Sequence, residues 1–419
     1  MIMWKYTLKL AAIVFVSLAG PQATEGAGSF DWPQWRGPNR MDVSKETDLI
    51  ESWPAEGPKR LWLFENAGNG YSGPAIAAGK LFTLGTRDGD EILLVLDANT
   101  GKEIWTAKIG SMLKNNWGDG PRGTPTVDGD RVYALSGGGN LVCASVADGK
   151  VLWRQSMKDL GGKTPGWGYT ESPLIDGDQV VCTPGGPNGA LAAFDKKTGK
   201  RLWQSAEFTD NAQYASIVPV DLNGVRQYIQ LTQPSLVGIA AKDGKVMWKS
   251  PWHGKTAVIP TPIYRDGHVY ITSGYGAGCK LVKISSDNQP TDVYSNKVMK
   301  NHHGGVVLVG DHLYGHADAG WTCQDFKTGE EVWNHRGFGK GAITCADGML
   351  YCLEEGSGTV ALVEASPKGW KEHGRFKLDP QSKIRSSQGR IWTHPVISNG
   401  KLYLRDQDLI HCYDVRKSG

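Results

Sequence analysis

Two adjacent histidines, His302 and His303, followed by Gly304 and Gly305, are among the residues whose types suggest chemistry. Imidazole can act as base, acid or metal ligand, and glycine lets backbone approach a ligand closely. Two more segments share this character: Asn116-Trp117-Gly118-Asp119-Gly120-Pro121-Arg122 and Gly166-Trp167-Gly168-Tyr169-Thr170-Glu171. Arg122 has the fork geometry that grips a carboxylate with two bonds, and Glu171 joins His303 as a candidate catalytic acid or base. Trp167 and Trp392 offer flat faces for an aromatic or sugar-like ligand. With Tyr71, Tyr169, His302, Lys340 and His394 they make up the expected ligand-binding set, suited to a flat anion. Neighbouring residues in a strand point to opposite faces, so His302 and His303 are not expected to share a metal, and no metal site is assigned. No Gly-x-Ser-x-Gly elbow, phosphate loop or His-Glu-x-x-His occurs.

The element that must position these residues is a repeat. Asp97-Ala98-Asn99-Thr100-Gly101-Lys102-Glu103-Ile104-Trp105 returns as variants ending at Trp153, Trp203, Trp248 and Trp333, and the first spacings are 48, 50 and 45 residues. The phrase is a turn with glycine where φ is positive, then a strand carrying Trp. That period belongs to four-stranded propeller blades. A second phrase opens each unit, as in Gly73-Pro74-Ala75-Ile76, Thr124-Pro125-Thr126-Val127, Ser172-Pro173, Thr261-Pro262 and His394-Pro395. Degenerate openers at Ser216-Ile217, Gly305-Val306 and Ala342-Ile343 bring the count to eight.

Gly57-Pro58-Lys59-Arg60-Leu61-Trp62 is a closing strand without an opener, while the last unit runs out after Tyr413-Asp414. The expected fold is all-β, an eight-bladed β-propeller whose N-terminal strand completes the last blade and so removes two open edges. The start of each innermost strand should converge on one axial mouth. Three residues before each opener's proline position stand Tyr71, Arg122, Thr170, Tyr214, Ile259, His303, Lys340 and Trp392. A scaffold needing only stability could repeat one small residue there, yet these eight differ in chemistry. The repeat Trp residues themselves read as structural, each ring buried between blades with its N–H seeking one acceptor.

The 419 residues carry 46 basic and 43 acidic side chains for a net charge of +3, with no basic run, which excludes nucleic acid as the expected partner. The 55 glycines and 16 tryptophans suit short strands and tight turns. A positive start, the apolar run Leu10 to Leu18 and small residues near Ala23 or Ala27 read as a signal peptide over 1–27. The apolar run is too short to span a bilayer. A periplasmic or secreted protein is therefore expected, with an extension over 28–56, a propeller over 57–419 and no transmembrane segment in the mature chain. The seven cysteines lie mostly in apolar strands and read as buried thiols. Cys345 and Cys352 flank the turn Ala346-Asp347-Gly348-Met349, and an oxidising compartment would permit a disulfide between them.

The Asp-x-x-Thr-Gly-Lys-x-x-Trp phrase resembles the pyrroloquinoline-quinone (PQQ) repeat propellers over residues 57–414. That family includes periplasmic quinoprotein alcohol dehydrogenases and a propeller of the outer-membrane β-barrel assembly machinery, a scaffold without quinone. Asp31-Trp32-Pro33-Gln34-Trp35-Arg36-Gly37-Pro38 looks like the opening of an exported bacterial subgroup. The dehydrogenases resembled use adjacent cysteines over the quinone and a Glu, Asn and Asp around calcium. No Cys-Cys occurs here, and no segment matches the calcium motif. The resemblance thus implies a binding or scaffold module, expected to be a monomer, whose partner is a protein or a small-molecule or glycan ligand at the axial mouth. No cofactor is assigned on this reading. The alternative it implies is a PQQ- and calcium-dependent alcohol or sugar dehydrogenase. Loops such as that from Lys158 to Pro165 would offer partner surfaces.

Overall fold

The computed structural model describes Met1 and residues 30–417, so the leader expected over 1–27 lies, beyond Met1, outside the described residues. Short alternating strands separated by Asp-Gly and Asn-Gly turns fold as hairpins, and they build eight four-stranded antiparallel sheets. Blade 1 runs through Ala75–Ala77, Lys80–Arg87, Asp90–Asp97 and Glu103–Ser111 from axis to rim. Blades 2 to 7 repeat that order. Blade 8 takes Val396–Ser398, Lys401–Asp406 and Leu409–Asp414 from the C-terminus and the strand Arg60–Phe64 from the N-terminal side. The register there pairs Trp62 with Cys412 and Phe64 with Ile410. The chief departure from strand and turn is the 3-10 turn Lys158–Leu160.

Apolar layers lie between neighbouring blades. In one, Phe82, Leu84, Leu93 and Val95 of blade 1 meet Val132, Ala134, Val142 and Ala144 of blade 2. At most junctions the repeat Trp bonds to the next blade. Trp105 Nε1 donates to Val146 O of the next blade at 3.2 Å, Trp153 to Lys196 O at 3.1 Å, and Trp203 to Ala241 O at 3.0 Å. Where the repeat has Tyr294, its hydroxyl donates to Phe326 O at 3.0 Å. Trp248 departs from the pattern and donates within its own blade to Gln227 Oε1 at 2.9 Å. The turn glycine of the next repeat lies against the same ring. Gly149 has φ +74, and a Cβ there would stand 2.6 Å from the Trp105 ring. Gly149→Ala is expected to destabilise by about 2 kcal/mol or more, since left-handed backbone alone costs an alanine about 1–2 kcal/mol. Guanidinium unfolding checks this, and an unchanged midpoint would mean that the junction yields freely.

All seven cysteines are buried and free. Cys345 faces Leu350 across its hairpin and Cys352 faces Ile343, so the disulfide considered between them does not form. Both thiols belong to the apolar layer with Val307, Tyr314 and Trp321. Burial pushes the Cys345 thiol up to about 12.

The extension before the propeller lies in the axial channel, where it touches every blade. Trp32 N donates to Ile76 O of blade 1 at 2.8 Å, and Val127 N of blade 2 donates to Pro33 O at 2.8 Å. Arg40 donates to Ser172 O and Pro173 O of blade 3 at 3.3 and 2.5 Å, and to Ile217 O beside blade 4 at 2.9 Å. Trp35 Nε1 donates to Thr261 Oγ1 of blade 5 at 3.0 Å, and Arg36 Nη2 to Val306 O of blade 6 at 2.7 Å. Cys345 N of blade 7 donates to Asp42 O at 3.0 Å, and the Asp42 carboxylate meets His394 Nδ1 of blade 8 at 3.1 Å. Arg36, Arg40 and Asp42 all take positive φ, of 60, 55 and 61°. Backbone of that kind persists where surrounding bonds over-determine it.

Candidate functional site

The part of the extension from Trp32 to Asp42 plugs the channel, and each of its blade partners stands from one residue before to two residues after the proline position of its blade. The eight residues three positions before that proline therefore lie one layer nearer the mouth. All eight line one cavity of about 420 Å³: Tyr71, Arg122, Thr170 and Tyr214 on blades 1 to 4, then Ile259, His303, Lys340 and Trp392 on blades 5 to 8. Trp35 and Arg36 of the plug also line it. The cavity thus has blade starts for walls and the plug for a floor.

The wall beside blades 6 to 8 is a connected polar cluster. Lys340 Nζ approaches His302 Nδ1 at 2.6 Å, and His302 Nε2 meets the Tyr275 hydroxyl at 2.7 Å. An ammonium only donates, so Nδ1 accepts and the imidazole proton sits on Nε2, facing Tyr275. Burial, reinforced by the Lys340 charge, brings the His302 imidazole down to about 3, and the ring is neutral. Lys340 also pairs with Glu355 Oε1 at 3.4 Å, while Glu355 Oε2 accepts from Trp392 Nε1 at 3.1 Å. Burial raises the Glu355 carboxyl against the opposing pull of Lys340. His303 stacks on Trp392 with centroids 4.7 Å apart and planes 29° apart. Its Nδ1 is buried without a hydrogen-bond partner. Burial, then the neighbouring His302, pushes His303 well below its ordinary range.

On the other side, Arg122 bonds only backbone carbonyls, those of Gly118 at 2.7 Å and of Gly120. Its guanidinium carbon lies 5.5 Å from the centre of the Tyr71 ring. No carboxylate among the described residues forms an ion pair with it. Burial lowers its affinity for the proton, although the Tyr71, Glu91 and Asp119 oxygens oppose that pull. The Tyr71 hydroxyl donates to Trp117 O at 2.6 Å and so fixes the loop that carries Trp117 over the mouth.

Eight of the ten expected ligand residues line the cavity: Tyr71, Arg122, Trp167, His302, His303, Lys340, Trp392 and His394. Tyr169 and Glu171 are placed elsewhere. Tyr169 packs in the apolar layer with Leu135 and Leu160, and its hydroxyl donates to Pro184 O at 3.0 Å. Glu171 is 2% exposed and accepts from the Thr183 amide and, at 2.8 Å, from the Thr183 hydroxyl. Their neighbour Thr170 takes the cavity-facing direction, and extended backbone sends adjacent side chains opposite ways. Arg122 and Glu171 form no ion pair. His302 and His303 depart from the strand expectation, because they precede the strand, with a bend beginning at His303, and both reach the cavity, with ring centroids 3.6 Å apart.

Tyr275, Glu355 and Arg390 also line the cavity and were not legible from the blade openers. Tyr275 and Glu355 follow the second strands His268–Ser273 and Met349–Glu354. In an antiparallel blade the second strand ends at the level where the first begins. That register was a usable signal.

The family described as outer membrane protein assembly factor BamB matches residues 89–335. No curated protein matches the chain. Among solved structures, BamB from Moraxella catarrhalis is 14% identical with a TM-score of 0.62, covering 85% of this chain and 99% of that one. A europium-containing methanol dehydrogenase is 12% identical with a TM-score of 0.61, covering 89% of each chain. The quinohemoprotein alcohol dehydrogenase from Comamonas testosteroni is 10% identical with a TM-score of 0.59, covering 93% of this chain and 81% of that one. At these identities the likeness is one of fold.

Proposed function

Because the chain belongs to the family of the outer membrane protein assembly factor BamB, we propose that it is an exported propeller acting as a binding module, with a small organic anion held in its axial mouth. The observation that carries this reading is Arg122, a guanidinium in the cavity wall whose partners are backbone carbonyls alone. A desolvated charge with no carboxylate in direct contact is costly, and an entering carboxylate offsets that cost through two charge-assisted bonds. Lys340 and Arg390 add positive charge, whereas Glu355 is the one carboxylate among the described lining residues.

The calcium-bound quinone of the dehydrogenases does not fit this donor set. Calcium takes about 6–8 oxygen ligands, and Glu355 is already held by Lys340 and Trp392. Among the described residues no cluster of three or more His, Cys, Asp or Glu is arranged around a common point. No described helix is long and apolar enough to cross a membrane.

Thermal melts of the mature protein test the reading, with benzene-1,3,5-tricarboxylate, glucuronate, and PQQ with and without calcium as probes. A ligand at a hundredfold excess over Kd stabilises by about 2.7 kcal/mol. At least one anion is expected to raise the Tm independently of calcium, and Arg122→Gln to abolish that rise. A lack of any anion-dependent rise would overturn the proposal. A rise seen only with PQQ and calcium would favour the dehydrogenase.

A further inference from the structure

We infer that the axial cavity receives the terminal residue of an acidic saccharide, with the N-terminal plug forming its floor through Trp35. This rests on the anion reading above and names the ligand's class. The plug bonds to every blade below the ring of mouth residues, so the cavity is closed at its inner end. A polymer cannot thread through it, and a chain end or a single sugar can enter. The volume of about 420 Å³ lies near the lower end of the roughly 300–1,000 Å³ found for small-ligand sites.

The polar groups select among anions. Arg122 and Arg390 suit a carboxylate. Glu355, held by Lys340 and Trp392, keeps further lone pairs, and His303 Nδ1 is buried without a hydrogen-bond partner, 3.9 Å from Glu355 Oε2. A planar aromatic polyacid has no hydroxyl to offer Glu355 and is repelled by it. Sugar hydroxyls both donate and accept, so one can bond a remaining lone pair of Glu355 and another His303 while the acid group meets Arg122. The aromatic lining matches the apolar face of a pyranose ring. Trp35 lies at the floor, with Trp167 and Trp392 on the walls. Trp117 and Tyr275, 44% and 42% exposed, carry the aromatic surface out to the rim, where the next sugars of a chain would lie.

The test is calorimetry on the mature protein with glucuronate, galacturonate, oligogalacturonate, glucose and benzene-1,3,5-tricarboxylate. At least one uronate should bind, with glucose weaker by about tenfold or more, the equivalent of 1.4 kcal/mol. Trp35→Ala should weaken the uronate by about tenfold, and Trp35→Phe, which keeps a ring, by less than about threefold. Circular dichroism and a melt establish that each variant is folded. A longer oligouronate should bind one per protein molecule, with no gain in stoichiometry along the chain. Binding of the tricarboxylate but of no uronate would overturn the sugar assignment and leave the anion reading standing. Failure of every anion would overturn both. Uronate binding unchanged in Trp35→Ala and Trp35→Phe would remove the plug from the site.

Discussion

Arg40→Ala is expected to destabilise the protein by about 3–5 kcal/mol, because several buried carbonyl acceptors lose their donor at once. Arg40 is 1% exposed and belongs to the plug. Its guanidinium donates to Ser172 O, Pro173 O and Ile217 O, while Nε donates to Gln34 Oε1 at 2.9 Å. Truncation leaves these carbonyls facing a void, and each buried unpaired acceptor costs about 1–3 kcal/mol. Burial pulls Arg40 down to about 10, with the Glu171 charge opposing, so it remains a cation across the neutral range. Arg40→Lys should recover less than half of the loss, because one ammonium cannot span two blades as a planar fork does. Chemical denaturation measures both. A loss below about 0.5 kcal/mol, typical of a neutral surface change, would mean that the plug is not held through Arg40.

The second large effect concerns pH. Burial raises the Glu171 carboxyl from its ordinary 4.5 to about 7, and the Thr183 bonds only partly offset this. The folded protein therefore holds a proton on Glu171 where the unfolded chain has lost it. This stabilisation is complete below about pH 4.5 and is lost progressively as pH rises to about 7. The amount is about 3 kcal/mol. Glu171→Gln stays neutral throughout, so it is expected to be the more stable protein at pH 8 by that order and to match the parent near pH 4.5. Urea midpoints across pH 4 to 8.5 decide the matter. Parallel profiles for the two proteins would show that Glu171 is ionised without cost. Anion binding should be the same in both, since Glu171 does not line the cavity. His302, about 3, and His316 and His411, about 4, act oppositely: burial depresses them, and their contribution is lost as pH falls below their ordinary 6.5. Both proteins share that acid limb.

Much of the architecture was legible because the repeat pairs two signals that need each other. Gly149 and Trp105 recur as a unit since the glycine backbone must lie against the ring of the preceding blade. The mouth ring was legible for a similar reason: once the prolines align the blades, the residue three positions earlier must face the axis. The directions of Tyr169 and Glu171 were not legible, because a glycine-rich segment outside a strand gives no face to count from. The bend that begins at His303 escaped the same way. Least visible was the plug. Its bonds run largely to backbone carbonyls, such as Ser172 O, Ile217 O and Val306 O, and carbonyls have no sequence signature. Only the density of Trp, Arg and Pro before the first blade marked it.

Repeat proteins change length by gaining or losing whole units, because each unit contacts mainly its neighbours. The segment from Trp32 to Asp42 removes that freedom. It is not itself repeated, and it assigns a different bond to each of eight positions around the ring, from Ile76 on blade 1 to His394 on blade 8. A ring with a seventh or ninth share of the circle per blade would shift those acceptors in angle and leave some donors without them. The segment is thus a gauge for copy number, and duplication of a blade, ordinarily the easiest change for such a chain to inherit, is penalised at the axis.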